Sequence, residues 1–200
     1  MNGLSVGILD ALSFESHLGI PLKKNLHYFD KDLLIAELIS MTEWLDEQEI
    51  LSGIALDYRV KSLDSILLKY DRYYPDHQTR KVFNDILGFR AFCDSYDQIL
   101  EEESVQFRIA DMSSGKAVDD GYRGVHVYYQ KSGKYYPIEI QFNTLFDRQL
   151  NNWLHDYLYK KDYPIETGRI LREKYESGLI RNEHEFKEVL NNVLFGSKRS

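Results

Sequence analysis

The chain contains a single cysteine, only four prolines, and no apolar run near the roughly 18–20 residues that span a bilayer. With Cys93 alone there is neither a disulfide framework nor a thiolate zinc site. Its apolar setting in FRAFCD (89–94) predicts a packing role rather than a reactive one. The N-terminal MNGLSVGILDALSF lacks the basic start and small-residue cleavage site of a signal peptide, so the cytoplasm is the expected compartment. No GxxxxGK[ST] occurs, which excludes a Walker phosphate loop. Internal repeats and low-complexity linkers are also missing. Cations are outnumbered: 25 Lys and Arg against 32 Asp and Glu give a net charge of −7, which argues against broad, nonspecific nucleic-acid binding. Basic residues still cluster locally at Lys23-Lys24, Lys160-Lys161 and Arg169-Arg172-Lys174, where solvated helix ends and loops are the simplest reading.

What is present is ordinary globular composition, 43% hydrophobic and 28% charged, in a length that suits one domain with a real core. Periodicity predicts a helix over 30–51 with Asp30 as its N-cap, and shorter helical pieces over 62–73 and 78–84. A buried strand is expected at 86–93, a helix at 95–103, a strand at 105–110 and a polar loop over 111–120. Helices follow at 145–159, 167–177 and 182–195. This order predicts an α+β domain, helices packed on a mixed, mostly antiparallel sheet. The expected organisation is one domain, with an N-terminal helical segment (1–54), a core (55–162) and C-terminal helices (163–200).

The segment 119–144, DDGYRGVHVYYQKSGKYYPIEIQFNT, reads as a β-hairpin. Alternating runs 124–130 and 135–143 flank a Lys131-Ser132-Gly133-Lys134 turn. Side chains alternate between the faces of a strand, so Val125, Val127 and Tyr129 share one face and His126, Tyr128 and Gln130 the other. Likewise Ile138, Ile140 and Phe142 oppose Glu139, Gln141 and Asn143. A face of His, Tyr, Glu and Gln with Arg123 at its entrance is too specific for a solvated edge.

Two further constellations carry chemistry. In RVKSLDSILLKY (59–70), a helix capped by Ser62 puts Ser62, Ser65 and Lys69 on one face, and Arg59 and Lys61 lead into it with strand-like alternation. Cations and hydroxyls converging at a helix N-terminus suit phosphate, although an amphipathic helix with a polar outer face gives the same pattern. In FNDILGFRAF (83–92), Asp85 at the mouth of a strand suits Mg²⁺, and Arg90 offers a planar fork for phosphate or for stacking on a base. Alone, Asp85 reads more simply as a cap.

Taken in order, R-x-K-S-x-x-S-x-x-x-K, D-x-x-G-x-R, G-Y-R-x-x-H, E-x-Q and W-x-H-x-x-x-Y-K resemble the nucleotidyltransferase-like synthetase domain of the RelA/SpoT homologues. The resemblance covers about residues 55–162 and implies transfer of pyrophosphate from ATP to a nucleotide 3′-hydroxyl. It implies that Arg59 stacks on adenine and that Lys61, Ser62, Ser65 and Lys69 hold the triphosphate. Asp85 and Glu139 would bind Mg²⁺, Glu139 also helping to deprotonate the hydroxyl. Tyr122 would stack on the acceptor base, with Arg123 and His126 against phosphates. Gln141 belongs to the same motif as Glu139, and Trp153, His155, Tyr159 and Lys160 form the last one. Both carboxylates are present, which weighs against a degenerate nucleotide-sensing module. The His155-Asp156 pair lacks the other residues of an HD hydrolase.

Departures from the family pattern bear on the acceptor. E-x-Q-x-R-T is here Glu139-Ile140-Gln141-Phe142-Asn143-Thr144, so a cation has become a neutral amide; the usual GYRS is GYRG, with Gly124. The segment 116–120 lacks the proline and asparagine of the common P-K-x-N-G-Y form. A site stripped of a cation suits an acceptor with fewer terminal phosphates than GDP or GTP. The chain resembles the toxic small alarmone synthetases that pyrophosphorylate the 3′-terminal adenosine of tRNA, a reading that implies a neutralising antitoxin. Lys23, Lys24, His155, Lys160 and Arg169 would then contact the tRNA end. The alternative is a (p)ppGpp or related alarmone synthetase.

Overall fold

A computed structural model describes residues 4–101, 105–159, 161 and 163–196. In chain order its elements are α1 (Val6–Ala11), a 3-10 turn (Leu26–Tyr28), α2 (Lys31–Asp46), α3 (Glu49–Ser52), β1 (Asp57–Val60), α4 (Leu63–Tyr73), α5 (Thr79–Val82), β2 (Leu87–Phe92), α6 (Asp97–Leu100), β3 (Phe107–Asp111), β4 (Val125–Tyr129), β5 (Ile138–Asn143), α7 (Leu145–Tyr157), α8 (Glu166–Glu176) and α9 (Glu183–Gly196). The strands form one mixed five-stranded sheet in the order β1-β2-β5-β4-β3, and the α+β class stands. No helix among the described residues is long and apolar enough to cross a membrane.

The chain divides into two compact units: Met1–Ala91, Glu102–Ile109 and His126–Gln141, and Phe92–Glu101, Ala110–Val125 and Phe142–Ser200. In the first unit, the Asp30 carboxylate accepts the Leu33 N–H at 3.0 Å and starts α2, as its sequence position predicts. Leu34, Leu38, Met41 and Leu45 recur at helical spacing and are fully buried. Among them lies the carboxylate of Glu37, which accepts from the Ser16 hydroxyl (2.7 Å), the His17 N–H (2.6 Å) and the Tyr136 hydroxyl (2.8 Å). This one acid ties the N-terminal segment, α2 and the approach to β5 together. The expected 30–51 helix instead breaks at Glu47-Gln48. Gln48 turns extended and its side chain caps the Trp44 carbonyl at 2.9 Å. Asp46, Glu47 and Glu49 crowd negative charge at a helix C-terminus, where the dipole disfavours it.

The hairpin alternation holds: Val127 and Tyr129 are buried on one face of β4, while His126 and Tyr128 are partly exposed on the other. The second run begins later than expected. Tyr135 bridges Glu15, the Tyr136 N–H donates to the Phe14 carbonyl, and Pro137 has no N–H to give, so β5 starts only at Ile138. The 95–103 helix is likewise shorter. Ser95 and Asp97 close a local turn, side chain on side chain at 2.6 Å, and set the start at Asp97; residues 102–104 lie outside the described residues.

In the second unit, α7, α8 and α9 bury Leu150, Leu154, Leu171, Tyr175, Phe186 and Leu190 against one another. Trp153 packs against this cluster, so its place in the last motif is structural. The loop before β4 is seated on α8 by two glycines. Gly121 has φ +85°, and a Cβ there would lie 2.3 Å from the Gly168 carbonyl oxygen; one on Gly168 would lie 1.9 Å from that of Asp120. One turn further along α8, Arg172 is 0% exposed. It donates to the Gly121 carbonyl (2.8 Å), Asp147 (2.7 Å) and Asn151 (3.1 Å). The solvated reading of this arginine is therefore wrong: the backbone contact between the two glycines brings a carbonyl, a carboxylate and an amide to its fork. Replacing one side of a buried, hydrogen-bonded pair costs about 3–5 kcal/mol. Arg172→Met should lower the unfolding free energy read from urea denaturation by that order, and Arg172→Lys should recover only part of it because an ammonium cannot make the planar fork.

Candidate active site

Four strands bring the predicted polar face together, all within the first unit. β1 and β2 are antiparallel with Arg59 opposite Gly88, so Arg59 and Arg90, two residues on, share a face, both exposed. Gly88 leaves room for the neighbouring strand's carboxylate: a Cβ there would sit 3.6 Å from Glu139 Oε2. Glu139 is only 6% exposed. Its Oε1 lies 3.0 Å from His126 Nδ1, and its Oε2 accepts from the Gln141 amide at 2.7 Å. Burial works against the charge, but the bond and charge of His126, with bonds from Gln141 and Tyr128, overcome it and hold the carboxyl at about 2, below the ordinary 4.5. Burial first, then Glu139, push the Tyr128 hydroxyl well above the usual phenol range; Asp85 adds to this from within electrostatic reach. Arg108 of β3, which the sequence reading passed over, lies with its guanidinium 4.1 Å from the Tyr128 ring centre.

Beside this face the 59–70 and 83–92 segments meet. The Lys61 N–H extends the β1-β2 pairing to the Ile86 carbonyl at 2.8 Å, which turns its side chain inward, 5% exposed. There Lys61 Nζ reaches Asp85 Oδ2 at 2.8 Å, and Lys69 Nζ reaches Oδ1 at 2.9 Å. Asp85 is thus an ion-pair centre, not a cap. Burial pushes the Lys61 ammonium below its usual pKa; Asp85 opposes this, while Lys69 and Arg59 add to it as like charges. Ser62 takes the N-cap position of α4, but its hydroxyl bonds that of Ser65 at 3.0 Å instead of a first-turn N–H. The expected side-chain cap is not made, and the two hydroxyls stand together at the helix start.

The donor set fits Mg²⁺. Among the described residues no group of three or more His, Cys, Asp or Glu gathers as a metal cage. Two hard carboxylates, Asp85 and Glu139, both act on the Tyr128 hydroxyl, and together with waters and substrate phosphates they would hold a Mg²⁺ that supplies charge neutralisation.

Tyr122, Arg123 and His155 belong to the second unit. Arg123 is clamped by Asp119 through both terminal nitrogens, at 2.7 and 3.0 Å. Its backbone is held by Asn151, which accepts its N–H and donates to its carbonyl. Asn143, the residue that replaces a cation, is 1% exposed and donates to the same carbonyl at 2.9 Å. A Cβ on Gly124 would come within 2.5 Å of that Asn143 amide and 2.8 Å of the Tyr122 hydroxyl. The two departures from the family pattern are therefore one packing arrangement. His155 is exposed beside Asp156 at 3.1 Å, Arg169 pairs with Glu173 on the surface of α8, and Lys160 lies outside the described residues. In the first unit, Lys23 lines a cleft, whereas the Lys24 ammonium sits 5.1 Å from the Tyr28 ring centre. Cys93 is half-buried and its thiol is pushed up to about 11 by burial, consistent with the packing role.

Residues 58–163, more than half of the chain, match the region found in RelA/SpoT proteins. The fold resembles the small alarmone synthetase 1 from Bacillus subtilis bound to its product pppGpp, with 25% identity over 81% of this chain and 90% of that one, at a TM-score of 0.44. The small alarmone synthetase 2 from the same organism is 21% identical over 86% of this chain and 100% of its own, with a TM-score of 0.45. A GTP pyrophosphokinase family protein from Streptococcus pneumoniae is 23% identical over 82% and 92%, with a TM-score of 0.41. No curated protein matches the chain.

A carboxyl held at about 2 in the folded protein, against an ordinary 4.5, stabilises the fold above about pH 4.5 and loses that contribution as the pH falls towards 2. His126→Ala removes the main opposition to burial. The Glu139 carboxyl should then titrate higher, moving the acid limb of the stability profile to higher pH. Carboxyl ¹³C NMR reads this directly, and a Glu139 still titrating near 2 would remove His126 from the account.

Proposed function

We propose that this chain, a pyrophosphotransferase that belongs to the RelA/SpoT family, moves pyrophosphate from ATP to the 3′-hydroxyl of the terminal adenosine of tRNA. It would act in the cytoplasm as a translation-inhibiting toxin restrained by an antitoxin protein. The 3′-oxygen bonds the β-phosphorus, the bond from that phosphorus to the α-bridging oxygen breaks, AMP leaves, and the hydroxyl proton passes to solvent. Such transfer asks little covalent work of the protein and much positioning and charge neutralisation. Arg59 and Arg90, on one sheet face, suit the adenine and its phosphates. Lys61 and Lys69 would exchange Asp85 for triphosphate oxygens, with the Ser62 and Ser65 hydroxyls donating beside them. That exchange frees Asp85, which with Glu139 would hold Mg²⁺; the ion would offset charge on the transferred group. His126 and Gln141 favour the ionised form of Glu139, which suits holding charge and leaves it able to help take the hydroxyl proton.

The observation that supports tRNA as acceptor is Asn143. A neutral amide fixed on the Arg123 carbonyl stands where the family carries a cation. That weakens the case for an acceptor with a terminal polyphosphate.

Incubation with γ-³²P-ATP and either deacylated tRNA or GDP and GTP tests the reading, since the γ-phosphate travels with the transferred group. Label is expected on tRNA; label on guanosine nucleotides alone would establish a (p)ppGpp synthetase instead. Glu139→Gln, nearly isosteric, should lower transfer by on the order of 10²–10³. Asp85→Asn should behave alike and recover partly at raised Mg²⁺.

A further inference from the structure

Two clefts in the first unit share Arg80 and Gly133 in their walls. The first, of about 340 Å³, is lined by Arg80, Lys81, Arg108 and Lys131 together with Phe107 and Tyr128, and none of its lining residues among the described ones is acidic. The second, of about 480 Å³, adds Lys23 and Lys134. Its one carboxylate, Glu15, lies 3.9 Å from Lys134 and also accepts the Tyr135 hydroxyl. Asp10 approaches Lys131 only to 4.0 Å. Among the described lining residues, six cations thus face one carboxylate, in a chain of net charge −7. Folding gathers them: α5 supplies Arg80 and Lys81, β3 supplies Arg108, the β4-β5 turn supplies Lys131 and Lys134, and the N-terminal segment supplies Lys23.

The inner end of this basic track is Tyr128, whose hydroxyl bonds Glu139. Its ring carries the Arg108 guanidinium at 4.1 Å, a flat cationic shelf on which a nucleobase can stack. A mononucleotide seated at Glu139 has no use for cations extending through two clefts. A polynucleotide whose last residue sits there does, because its preceding phosphates must go somewhere.

We infer that the Lys23–Arg80–Lys131–Arg108 track binds the single-stranded 3′ end of an RNA and leads its terminal ribose to Glu139. This rests on the tRNA reading above and names the residues that hold the strand. Basic side chains alternating with aromatic faces are how single strands are held without sequence readout.

The probe is a fluorescein-labelled single-stranded RNA ending in CCA, followed by anisotropy across a salt series without ATP, with ATP affinity measured separately. The double change Arg80→Glu with Lys131→Glu should weaken RNA binding at least about tenfold and flatten its salt slope by about 1.4, at roughly 0.7 per lost phosphate contact. ATP affinity should hold. Unchanged RNA affinity and slope would overturn the track. If the double variant also loses ATP affinity or its thermal transition, Lys81→Gln and Lys131→Gln singly replace it, with a smaller loss expected from each and none overturning the proposal. Competition by poly-glutamate as strong as by RNA of equal charge would reduce the track to a general anion surface and overturn it. The two readings fail separately. Label on guanosine nucleotides alone, with RNA binding intact, removes the acceptor but not the track. Full labelling of tRNA by the double variant removes the track but not the acceptor.

Discussion

A carboxylate buried in a sheet is costly unless bonds and opposite charge surround it, and much of the first unit is arranged around that cost at Glu139. His126 and Gln141 must lie on its face because strand alternation puts them there. Tyr128 supplies a further bond, and Gly88 across the neighbouring strand carries no side chain to crowd it. The same logic governs Asp85, whose two oxygens each meet a lysine. Lys61 is the less comfortable partner: burial lowers the pKa of its ammonium, and Asp85 opposes that. Without a ligand, Asp85 offsets one of the two lysine charges. A polyphosphate bound there, as proposed, would have to displace Asp85 from lysines that it already occupies.

In the second unit the controlling constraint is steric. Gly121 and Gly168 let two backbones touch, and that approach delivers the Gly121 carbonyl to Arg172 and the loop backbone to Asn151. Tyr122 and Arg123 follow one another in that loop, so their placement is inherited from helix packing. Gly124 and Asn143 belong to the same arrangement. In this chain a Cβ at 124 would run into the Asn143 amide and the Tyr122 hydroxyl, so glycine at the one is tied to the asparagine seated at the other.

Much of this was legible in the sequence, and the remainder was hidden for identifiable reasons. Period-two alternation fixed the faces of β4 and β5, because a slip of one residue would have buried His126 and exposed Val127. Asp30 announced α2 through a local bond, and the Arg59–Lys69 motif lay close enough along the chain for its residues to meet. Nonlocal contacts were not legible. Tyr135 leaves the hairpin for Glu15, some 120 residues away along the chain, and no spacing within 119–144 reveals it. Arg172 reads as one more cation on an amphipathic helix, since periodicity reports where a residue points and not whether its partners will be there. Arg108 lay in a strand whose only visible signal was its apolar neighbours.

The same distinction explains how an acidic chain can carry locally basic clefts. Net charge sums over the whole surface, but at physiological salt a charge is felt over only about 8 Å. Within that radius a ligand meets the local lining, not the total. Here six cations from four separate segments are drawn into two adjoining clefts, while the surplus of acids is spread over the rest of the chain. Lys23 and Lys24 appear equivalent as a dipeptide, yet one lines a cleft and the other lies over the Tyr28 ring. A charge cluster in sequence is therefore a weaker sign of a binding track than cations scattered through the chain that the fold brings to one wall.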